Sequence, residues 1–371
     1  QAELPGRISS RMALFRMAFQ VYLEHDPAQA FALATDLSLG MARLGRAAEG
    51  LAMLEQAQAF AASGAPIDQA LASLAMGNLC KELGLSRRAL AVYAEAESLF
   101  AGEERYRGAG ACCINASFVH TDLGEYDEAR AALARAESFF DAYAPEAPPD
   151  DLAFARLNVF KSAARIALHR REAAEGRRIG CEGLALAREI GDMHSAAVIL
   201  TNLGDTELLE GEHEAAELWL RESLKISAEI GDTAAIAFTH AGLGLAAIAK
   251  ASPEEAKEHL REAIRMFAAA DQKRDLLMAM TMAAALAEDG VFLRLASACR
   301  YHRERLGYAF SPAMAVVIDP LYASATERVG PVLAPRYERL GEGTPIGELV
   351  EEAKRIVEHG DPSADRRGSV P

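Results

Sequence analysis

The chain has 371 residues and carries 54 acidic against 39 basic side chains, which gives a formal net charge of −15. This surplus of negative charge disfavours binding to nucleic acid or to an anionic membrane, because both require a basic protein surface. Hydrophobic residues make up 51% of the chain and aromatic residues only 6%. The apolar side chains are therefore mostly alanine and leucine, which predict a folded, helical protein rather than a disordered one.

The five cysteines, Cys80, Cys112, Cys113, Cys181 and Cys299, predict reduced thiols in a cytoplasmic protein. Their number is odd and no two are spaced as Cys-x-x-Cys, so neither a disulfide framework nor a redox motif is indicated. No apolar run approaches the roughly 18 residues that a membrane-spanning helix needs. Because the first residue is Gln rather than Met, we expect a piece of a longer protein, or a processed or trimmed form.

The N-terminal residues 1–29 are predicted to form a capping helix, and from residue 30 the sequence repeats with a period of about forty residues. Six segments share a turn residue, followed five positions later by a small residue that opens an apolar stripe. The turn residues, 39, 40, 47, 40 and 40 positions apart, are Gly45, Gly84, Gly124, Arg171, Gly211 and Ala251. Each repeat is therefore predicted to be an antiparallel helix pair, and the six pairs occupy residues 30–271.

Small residues at fixed distances from the turns predict that the two helices of a pair approach closely. Glycine lies seven residues before the turn at Gly77, Gly204 and Gly244. Alanine lies five residues after the turn at Ala89, Ala129, Ala216 and Ala256. The longest separation contains the segment 141–151, whose three prolines predict a surface loop within the array.

Beyond residue 271 the repeat pattern degenerates. Segments 276–290 and 293–307 keep the pattern of a helix pair, and further helices are predicted within 311–330 and 332–360. Residues 272–358 are accordingly interpreted as a degenerate repeat with C-terminal capping helices. The polar residues 359–371 are predicted to be a disordered tail.

The series of small residue, alanine, large residue and alanine resembles the tetratricopeptide repeat. The segments that carry the resemblance best are 201–224, 76–96 and 114–136. Gly50 and Gly176 replace the expected alanine, Arg171 replaces the turn glycine, and the period exceeds the usual 34 residues. The resemblance implies an all-α fold, a right-handed α-solenoid of antiparallel helix pairs.

The C-terminal half resembles the sensor region of bacterial STAND-type signal-transduction ATPases, which include LuxR-type and AfsR-type transcription factors. The motifs that carry this resemblance are EIGD at 189–192 and 229–232, ASACRYHRERLG at 296–307, ERVG at 327–330 and YERLGEGTPIGELVEEAK at 337–354. It covers about residues 30–358 and implies the sensor module of a cytoplasmic bacterial regulator. No phosphate-loop motif and no basic helix-turn-helix segment is present in the sequence, so an ATPase domain would have to be attached outside it.

The sequence predicts no catalytic site and no metal site, and no cofactor is expected. The nine histidines include no His-Glu-x-x-His motif, and no Gly-x-Ser-x-Gly motif is present. We therefore predict that the protein is not an enzyme and that its function lies in binding.

The tetratricopeptide resemblance implies a concave groove lined by the first helix of each pair. The residues that it assigns to the groove are Asn78, Lys81, Phe118, Asn158, Lys161, Arg165, His169, Asp205 and Phe238. Asn158, Lys161, Arg165 and His169 share one helix face and form a polar, cationic stripe, which with Asn78 and Lys81 suits a carboxylate or an acidic peptide. The alternative for Lys161 and Arg165 is pairing with acidic residues of neighbouring repeats.

Phe238 belongs to a second, apolar part of the predicted groove, together with Leu245 and Ile248. These side chains suit an anchor pocket for a partner helix. The alternative is that they pack within the core of the array.

These observations predict a non-catalytic binding module that recognises a peptide, a protein or a small effector in its concave groove. The family resemblance makes it the sensor part of a signal-transduction or transcription regulator with an attached ATPase or regulatory domain. The alternative is a protein–protein scaffold or a self-association module, a homo-oligomer without a small ligand. Neither nucleic acid nor a membrane is expected as a partner.

Overall fold

The computed structural model describes residues 4–43, 46–61, 65–270 and 272–359, and every regular element within these ranges is an α-helix. The predicted all-α class of antiparallel helix pairs is confirmed. Gly45 and the C-terminal residues 360–371, for which the sequence predicts a turn and a tail, lie outside the described residues. The chain divides into two compact units, Gln1–Ile166 and Ala167–Pro371.

The first unit contains eight described helices, the last of which continues to the start of the second unit. They are α1 (Leu4–His25), α2 (Pro27–Arg43), α3 (Ala47–Ala61), α4 (Pro66–Glu82), α5 (Ser86–Gly102), α6 (Tyr106–Asp122), α7 (Tyr126–Tyr143) and α8 (Pro149–His169). Successive helices pack antiparallel as the pairs α2–α3, α4–α5 and α6–α7, and α5 packs against α6 between two pairs.

The second unit repeats this pattern and then departs from it. Its helices are α9 (Ala173–Glu189), α10 (Met193–Glu210), α11 (His213–Ile230), α12 (Thr233–Ala249), α13 (Pro253–Ala269), α14 (Lys273–Ala284), α15 (Asp289–Leu306), α16 (Pro312–Val329), α17 (Ala334–Gly341) and α18 (Ile346–His359). The pairs α10–α11 and α12–α13 are regular. The last helix, α18, packs against α13 and α14, whereas α16 packs against α15, α10 and α12.

The turn residues adopt the backbone conformation that the repeat register requires. Gly84, Gly124 and Gly211 have φ angles of 73°, 75° and 80°, the left-handed conformation that ends a helix. Arg171 and Ala251 adopt the same conformation, with φ angles of 61° and 54°, although their side chains disfavour it. The predicted register is therefore kept even where the turn glycine is absent.

The predicted close approach of paired helices is also confirmed. A Cβ atom added to Gly77 would lie 2.4 Å from the Tyr93 ring, and one added to Gly204 would lie 2.7 Å from the side chain of Leu220. Tyr93 and Leu220 are fully buried in the facing helix of the pair. The glycines thus make room for large side chains that fill the core between the helices.

The break between α7 and α8 is shorter than the proline content of 141–151 predicts. Residues 141–143 complete α7, and only 144–148 lack helical structure. Pro149 is the first residue of α8. A proline is tolerated there because the first turn of a helix leaves its backbone N–H groups unpaired in any case.

None of the described helices combines the length and the apolar composition that crossing a membrane would require.

Candidate functional site

In the first unit, Asn78 is held in a fixed orientation between two repeats. The hydroxyl of Tyr93 donates a hydrogen bond to Asn78 Oδ1 at 2.8 Å, and Asn115 Nδ2 donates to the same oxygen at 3.2 Å. Tyr93 reaches this position beside Gly77, and its burial raises the pKa of its phenol, so the hydroxyl stays protonated and donates. Asn78 therefore links α4, α5 and α6 through a single acceptor atom.

Asn115 was missed by the sequence prediction, although it lies three residues before Phe118 and so shares a helix face with it. No hydrogen bond to Asn78 Nδ2 or to Asn115 Oδ1 is found among the residues that the structure describes. Both side chains are half-buried. A donor and an acceptor thus remain on two neighbouring helices, held in place by the bonds that the other two amide atoms make.

Arg165 is engaged within the first unit. Its guanidinium forms an ion pair with Asp122 and lies over the Phe118 ring, 5.5 Å from the ring centroid. Of the two interpretations of Arg165, ligand contact or pairing with an acidic residue of a neighbouring repeat, the structure therefore shows the pairing. Phe118 and Arg165 are brought together as a cation–π pair on α6 and α8.

Lys81 and the other residues of the cationic stripe also have contacts within the protein. Asn158 Nδ2 donates to the backbone oxygen of Phe154 at 3.0 Å, and Lys81 Nζ lies 3.6 Å from Glu82 Oε1. Lys161 and His169 are half-buried and each takes part in an interaction within the chain. Asn158, Lys161 and Arg165 belong to the first unit, whereas His169 belongs to the second. The stripe thus carries less uncompensated charge than its composition predicts.

In the second unit, Asp205 is half-buried on α10 and has an interaction of its own within the chain. Phe238 on α12 packs edge-on against the buried Phe267 of α13, with ring centroids 5.1 Å apart, and remains 37% exposed. Leu245, predicted beside it, is 1% exposed and belongs to the core. Core packing therefore accounts for Leu245 and for one face of Phe238.

The chemistry of the described side chains is that of a packed helical array. Burial raises the pKa of Cys113 and of Cys299 to about 12, which keeps both as protonated thiols. No group of three or more His, Cys, Asp or Glu side chains that could hold a metal ion is found among the described residues.

Residues 195–269 match the family model of the tetratricopeptide repeat. A search of curated protein sequences finds no match. Several solved structures are similar in fold. One is a Signal Transduction ATPase with Numerous Domains (STAND) protein with a tetratricopeptide repeat sensor from Pyrococcus horikoshii, which is 15% identical with a TM-score of 0.51. The match covers 93% of this chain but 52% of that one, so the chain spans about half the length of the STAND protein.

Two Rap proteins are similar over almost their entire length. A Rap protein complexed with Competence and Sporulation Factor is 13% identical with a TM-score of 0.60, and the match covers 97% of this chain and 100% of that one. The apo form of RapI is 14% identical with a TM-score of 0.50, and the match covers 94% and 98% of the two chains. Residues 195–269 therefore belong to the tetratricopeptide-repeat family, and the helix pairs of both units share the fold of these solved structures.

Proposed function

We propose that the protein is a binding module and that the surface of α4, α6 and α8 in the first unit holds a segment of a protein partner. The observation that carries this proposal is the pair Asn78–Asn115, which offers an oriented amide donor and an oriented amide acceptor on adjacent helices. A peptide group needs one partner of each kind, because it has one C=O and one N–H. An extended segment laid across the two helices satisfies both amides.

The surroundings of this pair favour a peptide over a small polar effector. Leu71 on α4 is 45% exposed and Phe154 on α8 is 43% exposed, so apolar side chains of a partner have surfaces to cover. Lys81 on α4 and Lys161 on α8 each have an interaction within the chain already, so they add only a small preference for a segment that carries a carboxylate. Since Arg165 is paired with Asp122, we assign it to holding Phe118 in place rather than to binding charge.

The test is a selection of binding peptides from a displayed random library, followed by titration of a selected peptide by fluorescence anisotropy. We expect Asn115→Ala to weaken binding by roughly tenfold. A hydrogen bond contributes about 1 kcal/mol, and without Asn115 a polar group of the bound peptide would be buried without a hydrogen-bond partner. Asn202→Ala on α10, the same substitution at a half-buried asparagine of the second unit, is the control and should bind as the wild type does. A selected peptide that binds Asn115→Ala and the wild type equally would contradict the proposed site.

We further propose that this module is the sensor part of a signal-transduction or transcription regulator. The similarity to a STAND protein with a tetratricopeptide repeat sensor supports this assignment. The coding sequence of the complete gene provides the test. A phosphate-loop motif upstream on the same chain is expected, and a complete gene without any ATPase segment would contradict the assignment.

Self-association is the second candidate function, and α1 favours it. Leu14, Met17 and Val21 are 63%, 66% and 54% exposed, and their spacing places them on one face of this helix. An exposed apolar face of this kind favours contact with a second copy of the chain. Light scattering over a concentration series is expected to show a dimer that Met17→Glu dissociates. A monomer at every concentration would exclude this function.

A further inference from the structure

We call the first helix of each pair its inner helix. In the second unit, the inner helices α10 and α12 are apolar on more than the face that packs against the second helix of the pair. On α12, every residue from Ala241 to Ala247 is buried. Leu245 on α12, which the sequence assigns to the groove, is almost completely buried, and so is Leu208 on α10. A helix that is apolar all round requires a covering element on each side.

One element that packs against these two helices is α16. It packs against α10 and α12, the first helices of two successive pairs, as well as against its neighbour α15. Its Ala313, Met314 and Ile318 are buried and belong to the same apolar cluster as Leu208 and Leu245. In the second unit, therefore, a helix of the chain itself occupies the surface where the repeat register predicts a groove.

The two halves of α16 are held by different forces. In the N-terminal half, Ala313, Met314 and Ile318 are buried. Among the described residues, the one hydrogen bond that a side chain makes there is a helix cap, from Met314 N to Ser311 Oγ at 3.3 Å. Pro320 then interrupts the helical hydrogen bonds, because proline has no N–H group. The N-terminal half thus has no polar anchor to the helices that it covers among the residues described.

The C-terminal half of α16 has several polar anchors. The Tyr322 hydroxyl is hydrogen-bonded to Ser297 at 2.9 Å and donates to Glu338 at 2.7 Å. Arg328 makes two hydrogen bonds to Asp289, at 2.7 and 2.8 Å. These contacts tie this half of α16 to α15 and α17. Gly307 and Gly330, with φ angles of 66° and 86°, flank the helix at the two ends.

We propose that the inner face of α10 and α12 is a helix-binding groove, and that α16 is its resident occupant, which a partner's amphipathic helix replaces. The partner is a helix with the pattern that α16 itself shows, a small residue and a methionine followed four positions later by β-branched residues, as in Ala313, Met314, Val317 and Ile318. The groove differs from the site on the first unit in taking an apolar helix rather than an extended, carboxylate-bearing segment.

The experiment uses a fluorescein-labelled synthetic peptide of residues 311–330 and measures its binding to the full chain by anisotropy. Met314→Asp with Ile318→Asp places two charges on the buried face of α16 and should release it. The peptide should then bind this variant at least tenfold more tightly than it binds the wild type, whose groove is occupied. Leu321→Asp with Ala323→Asp adds the same charges at two exposed positions of α16 and should behave as the wild type does.

A second variant keeps the test decisive if the first one fails to fold. Tyr322→Phe with Arg328→Ala removes the polar anchors without placing charge in the groove. Hydrogen exchange of residues 312–329 should then accelerate, and exchange of α10 and α12 should accelerate less. Added unlabelled peptide should slow the exchange of α10 and α12 again. The proposal is overturned if a folded release variant binds no peptide, if the wild type binds it equally well, or if the anchor variant leaves exchange of α16 as slow as that of α15.

Discussion

The inner helices of the two units share one repeat register but present opposite chemistry. In the first unit, α4 and α6 carry the amide pair Asn78–Asn115, whose second donor and acceptor atoms have no hydrogen-bond partner among the described residues. In the second unit, the corresponding helices α10 and α12 carry Leu208 and Leu245, and α16 covers them. The repeat pattern fixes how helices pack in a pair, whereas the residues at the inner positions set the chemistry that the inner surface of each unit presents.

The largest expected effect comes from two substitutions that disturb helix packing equally, of which only one should also disturb peptide binding. Gly77→Leu and Gly204→Leu each force a side chain into space that Tyr93 or Leu220 occupies, and should lower the free energy of unfolding by about 3 kcal/mol or more. Urea denaturation followed by circular dichroism measures this change. Only Gly77→Leu should also abolish peptide binding under conditions where the protein remains folded, because it displaces the tyrosine that orients Asn78.

Gly102→Ala is the matched control for these substitutions. A Cβ atom at Gly102 meets no atom within 4 Å, so this variant should be as stable as the wild type or slightly more so. Equal stability of Gly204→Leu and Gly102→Ala would show that the paired helices do not approach as closely as the register requires.

Tyr93→Phe removes one hydrogen bond from the first unit and leaves the ring in place. Asn78 Oδ1 then keeps Asn115 as its donor, so we expect a loss of about 1 kcal/mol in stability and a several-fold loss in affinity for a selected peptide. Release of α16 in the second unit should be unaffected, and the 311–330 peptide should bind no better than before. If Tyr93→Phe changed stability but not peptide affinity, the orientation of Asn78 would have no part in binding.

The fold was predictable because it depends on residues with a local signature. Gly84, Gly124 and Gly211 mark turns, and Gly77 and Gly204 mark close approaches, whatever the rest of the chain does. These requirements recur every forty residues, so even Arg171 and Ala251 could be placed in the register. The length of the loop at 144–148 was overestimated because Pro149 is the first residue of a helix. Composition alone does not distinguish a proline in this position from a proline in a loop.

The candidate site was predictable only in part, because it depends on which side chains meet between repeats. The register placed Asn78 and Arg165 on first helices, but their partners Asn115 and Asp122 lie one repeat away, 37 and 43 residues apart in sequence. The position of α16 against α10 is harder still to predict, since more than one hundred residues separate the two helices. No local pattern specifies such a contact.

One turn in each unit offers a smaller test of stability. Ala251 ends its helix with a φ angle of 54°, where the Cβ atom costs about 1 kcal/mol, whereas the corresponding turns of the first unit use Gly84 and Gly124. Ala251→Gly should therefore raise the free energy of unfolding by about 0.5 kcal/mol once the greater freedom of glycine in the unfolded chain is subtracted. Gly124→Ala should have the opposite sign, and urea denaturation of both variants measures the difference. A destabilising Ala251→Gly would contradict the assigned turn.

The smallest expected effect concerns the pH dependence of the second unit. His240 Nδ1 on α12 lies 3.1 Å from His259 Nδ1 on α13, and burial, together with the neighbouring imidazole in the case of His240, lowers the pKa of both below the ordinary value near 6.5. Of the charged groups around the pair, the arginines lower the pKa of the histidines further and the glutamates raise it. These groups are Arg221, Arg265, Glu217, Glu255, Glu258 and Glu262. Because the unfolded chain binds protons more readily than the folded one, this pair favours folding above about pH 6.5 and loses that contribution as the pH falls below it.

Replacing both histidines by asparagine should remove this part of the pH dependence. Urea denaturation at several pH values between about 7.5 and 5.5 is expected to show a steeper loss of stability for the wild type than for His240→Asn with His259→Asn. The first unit contains no corresponding pair among its described residues, so peptide binding there should change equally with pH in both proteins. Parallel stability curves for the two proteins would mean that the pair takes up protons as readily in the folded chain as in the unfolded one.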